Sequence, residues 1–523
     1  MASKDVSKWV KAMKTEFDGC VASNTWDVVP ITSLPVGTNI LDVKWVYKIK
    51  PDVTGAIAKY KARITPKGYQ QKYGQDYFEV FANTGKYKTL RVALSIAANQ
   101  DLELRQLDVP QAFTQAELEE DVYMKMPEGY EQPGMVCHLK MSLYGLKQSP
   151  RNWYILVSTF LISALGFTAT VSDPCLFWKK SRTGRLILLF LFVDDMQVAF
   201  DKSDDREWFQ DHEKLWKRFK ITDLGESEFM LGMRIRRDRA ARTITLDQEL
   251  YITKALEKFG LDQSKPARTP GSRTSDDHAV EINQKLADLK LFQEKVGTLL
   301  YAAISTRPDI SFAVNRLTQR MQSPTLDDMK ACDRVFRYLA GTKTHGLLFG
   351  RSSRSPSTSS AANLSVSAWA DSDWASDPED RKSISGWIAM VNGDPVSWAS
   401  KKQKVVSQSS TEAELYAEAA AINEAKWLQG LLKEIRVVKE RQVTVPVVYG
   451  DNQSAQALSK NGIKSERTKH ISTKYAFIHD EVSSERVKLQ WIPTTEQLAD
   501  ILTKSLPRPA HEYLRSQLMT ECQ

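Results

Sequence analysis

The clearest hydrophobic pattern lies in residues 186–200, where two apolar runs flank the adjacent pair Asp194 and Asp195. The first run ends at Val193 and is too short to cross a bilayer, so it is typical of a buried strand. The second run begins at Met196 and is also strand-like. The stretch therefore predicts a β-hairpin with both aspartates in its tight turn.

The two aspartates of this hairpin admit two interpretations. Asp is common in surface turns, and a solvated turn explains the pair without further chemistry. At the end of a buried hairpin, however, two carboxylates repel each other and lose solvation, which a divalent cation would relieve. Asp108 ends a short strand that begins at Leu104. A lone Asp there is normally a cap or turn residue, but it could also complete a three-carboxylate metal site.

On both sides of this hairpin, the pattern predicts several helices. Within residues 1–20, Trp9, Val10, Met13 and Phe17 share one helical face, as expected of a helix that packs on a core. Further helical patterns cover residues 89–99, 151–165, 251–259, 292–304 and 324–339.

A second hairpin is predicted at residues 45–64, with its turn at residues 51–55. Basic and apolar positions alternate along both strands. Such alternation is usual for a solvated sheet face, and it would also suit a grip on the phosphates of a nucleotide or a template. The basic residues are Lys44, Lys48, Lys50, Lys59, Lys61 and Arg63.

A third hairpin, predicted at residues 233–245, is rich in arginine. This density suits contacts with the backbone of a nucleic-acid primer. A charged sheet edge that discourages aggregation explains it almost as well. The arginines are Arg234, Arg236, Arg237, Arg239 and Arg242.

A second acidic set occupies the last third of the chain, beyond the serine-rich residues 351–360, whose composition predicts a flexible linker and a domain boundary. Its acids stand at strand ends and helix starts that are separated by α/β elements, with Glu496 and Asp500 predicted to start a helix. Such a set looks like a convergent site of oxygen ligands. The acids are Asp371, Asp373, Glu412, Glu414, Asp451, Glu496 and Asp500.

Composition narrows the function classes. The 523 residues suggest more than one domain, and 42% hydrophobic with 26% charged residues is typical of a soluble globular protein. The sequence contains no signal peptide and no span of about 18 apolar residues. A net charge of +8 is compatible with nucleic acid. The scattered cysteines suggest free thiols, and the histidines form no metal motif, so any metal is expected to be a hard cation held by oxygens.

Seven blocks of sequence resemble the reverse transcriptase of copia-type LTR retrotransposons, which are also called Pseudoviridae. They occur in the family's order: YKARITPKGYQQ, LRQLDVPQAF, VYMKMPEGY, SLYGLKQSPRNWY, LLFLFVDDMQVA, TDLGESEFMLGM and STRPDISFAVNRL. The blocks WADSDWASD, SSTEAELYAE, VVYGDNQSA and WIPTTEQLADILTK resemble the C-terminal ribonuclease H of the same elements. The resemblance runs from Trp26 to the end of the chain.

This resemblance implies a multidomain fold of α+β and α/β type. The expected parts are the fingers, palm and thumb of a right-hand polymerase, a connection, and a ribonuclease H-like α/β domain. The expected boundaries are 1–220 for fingers and palm, 221–290 for the thumb, 291–350 for the connection, 351–363 for the serine-rich linker and 364–523 for ribonuclease H.

The resemblance also implies roles for individual residues. Catalytic metal ligands are expected at Asp108, Asp194 and Asp195 in the palm, and at Asp371, Glu414, Asp451 and Asp500 in ribonuclease H. Glu414 is preferred to Glu412 because it directly precedes the Leu-Tyr-Ala of the helix. Nucleotide contacts are expected at Lys61, Arg63, Phe113 and Gly145, and primer-template contacts at Leu231, Gly232, Arg234 and Arg236.

Two departures from the family pattern concern local geometry. Phe192 stands where the family has the Tyr of YVDD, so the hydroxyl is lost and the aromatic plane is kept. ITPKG and FANTG also differ from the commoner LVAKG and FSPVV in the fingers.

The implied chemistry is RNA- and DNA-directed DNA synthesis and cleavage of the RNA strand of RNA–DNA hybrids. Each active site would use two Mg²⁺ ions, or Mn²⁺. The expected partners are an RNA template, a DNA or RNA primer, an RNA–DNA hybrid and deoxynucleoside triphosphates, with no membrane. The expected location is a cytoplasmic virus-like particle or the nucleus. Because protease and integrase lie upstream in the family's polyprotein, Met1 is expected to be a processing or cloning boundary.

Two alternatives stay open. The chain could be a domesticated copy that binds nucleic acid or packs particles, although random decay would be expected to remove at least one of seven intact carboxylates. It could also combine an active polymerase with an inactive ribonuclease H. The His-bearing loop of cellular and retroviral ribonucleases H is missing between Pro493 and Glu496.

Overall fold

The structure is a computed structural model that describes residues 5–51, 57–271, 288–350, 364–435, 443–461 and 472–522. Their strands form sheets of four, six, five, five and two strands. The serine-rich linker predicted at residues 351–363 lies outside the described residues. Among those residues, no helix is both long enough and apolar enough to cross a membrane.

The N-terminal elements include a four-stranded sheet in the order β1-β7-β6-β2 and the separate hairpin β3-β4. The predicted amphipathic helix and basic hairpin are confirmed. The elements are α1 (Val6–Ala22), β1 (Trp26–Pro30), β2 (Ile40–Leu41), β3 (Val43–Pro51), β4 (Ile57–Pro66), α2 (Tyr87–Gln100), β5 (Glu103–Asp108), β6 (Glu117–Lys125), β7 (Met135–Met141) and α3 (Ser149–Ser163).

A six-stranded sheet in the order β12-β5-β11-β10-β9-β8 carries the aspartate hairpin at its centre. Its further elements are β8 (Thr168–Ala169), β9 (Leu176–Lys180), β10 (Leu186–Phe192), β11 (Asp195–Phe200), α4 (Asp205–Phe219) and β12 (Thr222–Glu226). The predicted hairpin is confirmed, but its turn is shifted by one residue. Asp195 already pairs with Phe192 in the ladder, so the turn consists of Val193 and Asp194.

A five-stranded sheet and a helical layer follow. The arginine hairpin is confirmed as β14-β15, and the helices predicted from residue 251 to residue 339 are confirmed within a few residues. The elements are β13 (Phe229–Met230), β14 (Met233–Asp238), β15 (Thr243–Asp247), α5 (Glu249–Lys258), α6 (Leu289–Ser305), α7 (Ser311–Thr318), α8 (Leu326–Ala340) and β16 (His345–Phe349).

The C-terminal elements include a sheet in the order β19-β18-β17-β20-β21, in which β20 is parallel to both β17 and β21. They are β17 (Val366–Asp373), β18 (Ile384–Val391), β19 (Asp394–Lys402), α9 (Ser410–Glu434), β20 (Val447–Gly450), α10 (Gln453–Asn461), α11 (Ser472–Ser483), β21 (Lys488–Trp491), α12 (Arg508–Leu518) and β22 (Met519–Glu521). The helix expected to start at Glu496 is instead a pair of 3₁₀ turns, Thr494–Glu496 and Leu498–Leu502.

The C-terminal sheet packs directly on the rest of the protein. One apolar core includes Leu94 of α2, Leu246 of β15, Ala368 of β17 and Leu428 of α9. The last strand, β22, leaves its own region and pairs with β16 in the sheet of the arginine hairpin. Burying apolar surface across the contact favours a fixed arrangement of the two parts.

Polar contacts centred on α2 reinforce this packing. Arg91 is buried and donates hydrogen bonds to the carbonyl oxygens of Val396 at 2.7 Å and Ser305 at 2.7 Å. Its guanidinium also lies 4.1 Å from the centre of the Trp398 ring. These hydrogen bonds offset part of the cost of burying the guanidinium.

Candidate active sites

The aspartate hairpin ends in a turn that its surroundings hold in place. Val193 has φ of 57°, in the left-handed region that β-branched residues disfavour. Trp153 Nε1 donates a hydrogen bond to the Val193 carbonyl oxygen at 2.6 Å, and Val109 N donates one to the Asp194 carbonyl oxygen at 2.9 Å. These bonds fix the backbone on both sides of the Asp194 side chain.

Three aspartates, which we call the hairpin site, meet at this end of the six-stranded sheet. Asp195 lies directly opposite Asp108 in the antiparallel ladder, so their side chains share one face. Asp194 precedes them in the turn, and all three are half-buried. Of the described residues, these three do not form a group whose ligand atoms all lie within 4.8 Å. Joint metal binding at the hairpin site therefore stays a prediction.

Tyr144 connects the hairpin site to two of the predicted nucleotide contacts. Its hydroxyl donates a hydrogen bond to Asp194 Oδ2 at 3.3 Å. Its ring lies 4.4 Å from the ring of Phe113 and 3.9 Å from the guanidinium of Arg63. Burial, and then the negative charge of Asp194, raises the pKa of Tyr144, so the hydroxyl stays a donor. Sequence reasoning did not assign Tyr144, although its position beside Gly145 in a quoted block was a usable signal.

Gly145 is required by close backbone packing. Its φ is 113°, and a Cβ there would lie 2.4 Å from the Pro66 carbonyl oxygen. A Cβ on Gly68 would lie 1.9 Å from the Gly145 carbonyl oxygen. The two glycines therefore let the loop before α3 press against the end of β4, which carries Arg63. A direct nucleotide contact by Gly145 stays a prediction.

The predicted nucleotide contacts on β4 face a carboxylate on α1. Lys61 and Arg63 are two residues apart, so their side chains point to the same side of the hairpin. Burial raises the pKa of Glu16, while the nearby charges of Lys61 and Arg63 act in the opposite direction. The protein thus places the carboxyl group of Glu16 beside both cations.

The predicted primer-template residues lie in and after the turn between β13 and β14. Leu231 and Gly232 have φ of 54° and 76°, and the Tyr301 hydroxyl donates to the Leu231 carbonyl oxygen. Arg234 Nε donates to Asp247 Oδ2 at 3.3 Å, and Arg236 forms a 3.0 Å ion pair with Glu249.

Two further arginines of this hairpin also form ion pairs within the chain, since Arg237 pairs with Asp101 and Arg239 with Glu103. The strand that carries Arg234 is flanked at that residue by β13 and β15, so Arg234 is not on a free sheet edge. The structure thus gives these arginines internal partners, and contact with a primer stays a prediction.

A second site, which we call the C-terminal cluster, collects acids from four separate elements. Asp371 lies on β17, Glu414 in the first turns of α9, Asp451 directly after β20 and Asp500 in the Leu498–Leu502 turn. One ligand atom from each of Asp371, Glu414 and Asp451 lies within 4.8 Å of the others. Within the described parts of the chain, this is the group of three whose spacing suits a metal ion.

Sheet register explains why these acids meet. Trp369 of β17 lies opposite Tyr449 of the parallel strand β20, so Asp371 and Asp451, each two residues further on, emerge at the same sheet end. Ser372 N donates to Glu414 Oε1 at 3.4 Å, which ties α9 to β17.

Asp500 reaches the same place through the following turns. Gln497 Nε2 donates to the Ala370 carbonyl oxygen at 2.8 Å, which anchors the Leu498–Leu502 turn on β17. The Thr503 hydroxyl donates to Asp371 Oδ2. These contacts hold the turn, and with it Asp500, beside Asp371.

Crowding shifts the ionisation of the cluster. Burial, with added repulsion from Asp371 and Asp451, raises the pKa of Glu414 well above its ordinary value. Burial and then Asp371 raise the pKa of Asp500 to about 7. Like charges held together away from water are unfavourable, and a divalent cation would relieve both effects. Because every potential ligand atom is a carboxylate oxygen, the four acids fit a hard cation such as Mg²⁺ or Mn²⁺.

A fifth buried acid stands behind the cluster. Glu418 lies one turn after Glu414, and burial, followed by repulsion from Asp451, raises its pKa to about 8. Its Oε2 has no hydrogen-bond partner among the described residues. A Cβ on Gly450 would lie 3.1 Å from Glu418 Oε1, so the acid packs against the end of β20. Sequence reasoning missed it, although it belongs to the quoted block SSTEAELYAE.

The geometry separates Glu414 from its neighbour in the sequence. Glu412 Oε2 accepts a hydrogen bond from Gln408 N at 2.7 Å, and the Ser409 hydroxyl accepts one from Glu412 N at 3.1 Å. Glu412 therefore caps α9, whereas Glu414 points into the cluster. Asp373 is half-buried on β17 and does not belong to the close group of three.

Lys504 is a third residue that sequence reasoning missed, after Tyr144 and Glu418. Its Nζ forms ion pairs with Asp500 at 2.9 Å and with Asp371 at 3.5 Å. The usable signal was its position four residues after Asp500, because that spacing places two side chains on neighbouring turns of a helix.

Comparisons with known proteins agree with these observations. Residues 23–273 match the family model described as reverse transcriptase (RNA-dependent DNA polymerase). The chain is 38% identical over 98% of its length to the retrovirus-related Pol polyprotein from transposon TNT 1-94 of Nicotiana tabacum. It is 36% identical over 99% of its length to that from transposon RE1 of Arabidopsis thaliana. It covers 38% and 34% of these two relatives, so it spans about a third of their length.

A more distant relative and a solved structure extend the comparison. The transposon Ty1-BL Gag-Pol polyprotein of Saccharomyces cerevisiae is 24% identical over 96% of the chain, which covers 28% of it. The solved structure, a foamy viral protease-reverse transcriptase in complex with RNA/DNA hybrid, is 12% identical with a TM-score of 0.50. The match covers 97% of this chain and 56% of that one, and at this identity it shows a similar fold alone.

Proposed function

Residues 23–273 belong to the reverse transcriptase family, within a chain related over nearly its whole length to Pol polyproteins of copia-type transposons, and from that premise we propose that the protein is an RNA-directed DNA polymerase. The observation that carries the proposal is the hairpin site, where Asp195 pairs in register with Asp108 and Asp194 occupies the turn. The proposed architecture is a right hand of fingers, palm and thumb, followed by a connection, with the boundaries expected from the sequence.

In this proposal the hairpin site would hold two Mg²⁺ ions. When bound, the ions would lower the pKa of the attacking primer hydroxyl and stabilise the leaving pyrophosphate. The chain's own residues position the substrates: Lys61 and Arg63 would neutralise the triphosphate, while Phe113 would press against the sugar. Tyr144 would hold Asp194 in place through its hydrogen bond. The substrates are an RNA or DNA template, a primer and deoxynucleoside triphosphates.

A second activity, ribonuclease H cleavage of RNA–DNA hybrids, is supported by the C-terminal cluster. Asp371, Glu414, Asp451 and Asp500 would hold divalent ions, which when bound activate a water molecule and stabilise the departing 3′-oxygen. The hybrid would be held through backbone and 2′-hydroxyl contacts, without strict sequence preference. Both activities suit a role in copying retrotransposon RNA into DNA for transposition, in a cytoplasmic virus-like particle or the nucleus.

The test uses the full chain with a primed RNA template, deoxynucleoside triphosphates and Mg²⁺. We expect extension of the primer and cleavage of the copied RNA, both abolished by EDTA. Extension without cleavage would favour the combination of active polymerase and inactive ribonuclease H. Binding of the primed template without either reaction would favour the domesticated nucleic-acid-binding protein.

A further inference from the structure

The C-terminal cluster contains a cation of its own. The Lys504 ammonium group lies between Asp500, at 2.9 Å, and Asp371, at 3.5 Å. Two-thirds of the lysine side chain is buried, with 33% exposed, and the carboxylates of Asp371 and Asp500 are 4% and 9% exposed. The ammonium group therefore contacts two buried carboxylates, while part of the lysine side chain reaches solvent.

The cluster has two sides that share Asp371. On one side, the ligand atoms of Asp371, Glu414 and Asp451 lie within 4.8 Å of one another. On the other side, Asp371 and Asp500 flank the Lys504 ammonium group. The first side has the spacing of a metal site, and the second already carries a positive charge.

We propose that Lys504 is a resident cation that occupies the Asp371–Asp500 position and makes the two divalent-ion positions of the cluster unequal. The free protein binds one divalent ion tightly through Asp371, Glu414 and Asp451. A second ion binds weakly, because it must compete with the ammonium group for Asp371 and Asp500. This inference rests on the proposed ribonuclease H site.

Charge and distance support the proposal. A divalent ion placed between Asp371 and Asp500 would lie within a few ångströms of the ammonium group. At this distance, the two positive charges repel each other strongly, because the site is partly shielded from water. The ammonium group would have to move toward solvent, and its flexible four-carbon stem permits such a movement. The Thr503 hydroxyl also donates to Asp371 Oδ2, so a second ion would have to displace this contact as well.

A purely structural lysine is the alternative. In that case, Lys504 would tie the Leu498–Leu502 turn to β17, and its replacement would lower stability without changing how ions bind. Ion-binding measurements therefore discriminate between the two roles where activity alone would not.

The experiment counts bound Mn²⁺ by electron paramagnetic resonance of the free ion, without nucleic acid. It uses the full chain with Asp108→Asn, Asp194→Asn and Asp195→Asn, so that binding reports the C-terminal cluster. With Lys504 present, we expect one tight ion and a second bound at least about tenfold more weakly. With Lys504→Met, we expect the second ion to bind at least about tenfold more tightly.

Two matched variants control for charge and for general effects. Lys504→Arg keeps a positive charge and should keep the unequal binding. Lys382→Met removes a lysine that pairs with Asp380 at 3.0 Å outside the cluster, and it should leave both steps unchanged. Thermal melting in EDTA establishes that each variant is folded.

Equal binding of two ions when Lys504 is present would overturn the proposal. This outcome is measured on the protein that keeps Lys504, so it does not depend on whether a Lys504 variant folds. Unchanged binding in a folded Lys504→Met protein would also overturn it. Hybrid cleavage is measured separately, on the chain with its hairpin site intact. Unequal ion binding without cleavage would refute the ribonuclease H function alone, whereas cleavage with equal binding would refute the role of Lys504 alone.

Discussion

The hairpin site and the C-terminal cluster are built from the same residue type in two different ways. The hairpin site takes Asp194 and Asp195 from one turn and Asp108 from the neighbouring strand, and all three are half-buried. The C-terminal cluster draws on residues up to 129 positions apart, from Asp371 to Asp500, and both of these are buried. The first depends on local pairing, and the second depends on the whole region being folded.

The difference has an electrostatic consequence. In the C-terminal cluster, burial and mutual repulsion raise the pKa of Glu414 and Asp500, and Lys504 supplies a compensating charge. The hairpin site is more open to solvent, and Tyr144 contacts both Asp194 of this site and the guanidinium of Arg63. We infer that the C-terminal cluster is preassembled for ions, whereas the hairpin site is completed by the nucleotide and its metal.

The largest expected effect separates the two sites completely. Asp194→Asn or Asp195→Asn should abolish DNA synthesis and leave hybrid cleavage intact, because an amide is an uncharged and poorer metal ligand. A loss of even ~4 kcal/mol of transition-state stabilisation slows synthesis about a thousandfold. Primer extension and hybrid cleavage are measured on the same preparation. Near-normal extension by either variant would refute the assignment.

The reciprocal experiment tests the C-terminal cluster. Glu414→Gln should slow hybrid cleavage at least about a hundredfold, because it removes one of three close ligands, and should leave DNA-templated extension unchanged. Asp371→Asn, Asp451→Asn and Asp500→Asn should behave alike, with non-additive combinations.

The matched control for Glu414→Gln is Glu412→Gln, which changes the same residue type two positions earlier. Because Glu412 caps α9 instead of entering the cluster, its replacement should cost about 1 kcal/mol of stability and little activity. A dead Glu412→Gln beside an active Glu414→Gln would reverse our assignment.

A third experiment uses pH to sharpen the comparison. In the folded protein, the pKa values of Asp500 and Glu418 are raised to about 7 and about 8. Above about pH 4.5, both groups have therefore lost their protons in the unfolded chain but keep them in the folded protein. Their contribution to stability is therefore full below about pH 4 and is lost as the pH rises through 7 to 8. Mg²⁺ replaces these protons, so its stabilising effect should grow from pH 6 to pH 8.

Thermal melting with Mg²⁺ and with EDTA across this range measures the effect, at roughly 2–4 °C for each kcal/mol. Glu414→Gln should remove most of the pH-dependent gain, whereas Asp194→Asn should keep it. An equal gain from Mg²⁺ at pH 6 and pH 8 would contradict the preassembled cluster.

A smaller effect is expected at Phe113. Phe113→Val should raise ribonucleotide incorporation relative to deoxyribonucleotide incorporation by about tenfold, because a rigid ring at the sugar edge would clash with a 2′-hydroxyl. Phe113 is only 7% exposed and packs on Tyr144, so a purely structural ring is the alternative. That alternative predicts a lower melting temperature with unchanged sugar discrimination, and the two incorporation rates decide.

The smallest effect is expected from Tyr144→Phe, which removes the hydroxyl and keeps the ring beside Phe113 and Arg63. The lost hydrogen bond to Asp194 is long, at 3.3 Å, so we expect a loss of about 1 kcal/mol and a few-fold slower extension. Hybrid cleavage should not change. A loss as large as that of Asp194→Asn would mean that Tyr144 does more than position the carboxylate.

The sequence determined the parts of this protein that depend on neighbouring residues. Apolar runs flanking Asp194 and Asp195 predicted the hairpin, and helical periodicity predicted six of the twelve described α-helices within a few residues. The acids of the C-terminal cluster were recognisable because each stands near a strand end or in the first turns of a helix. These features follow from local periodicity and from the resemblance of the quoted blocks.

Only the tertiary structure decided which side chains meet. It shifted the turn to Val193 and Asp194, gave the arginines Arg234 and Arg236 internal partners, and replaced the helix expected at Glu496 with 3₁₀ turns. It also brought Lys504 between Asp371 and Asp500.

The physical reason is that these contacts join segments far apart in the chain. A cross-strand register or an ion pair over more than a hundred residues depends on the packing of whole sheets, and local periodicity does not encode it. Burial then changes the charge of the acids that are brought together, as the raised pKa of Glu418 illustrates. The chemistry of the C-terminal cluster is thus a property of the folded assembly of β17, α9 and β20.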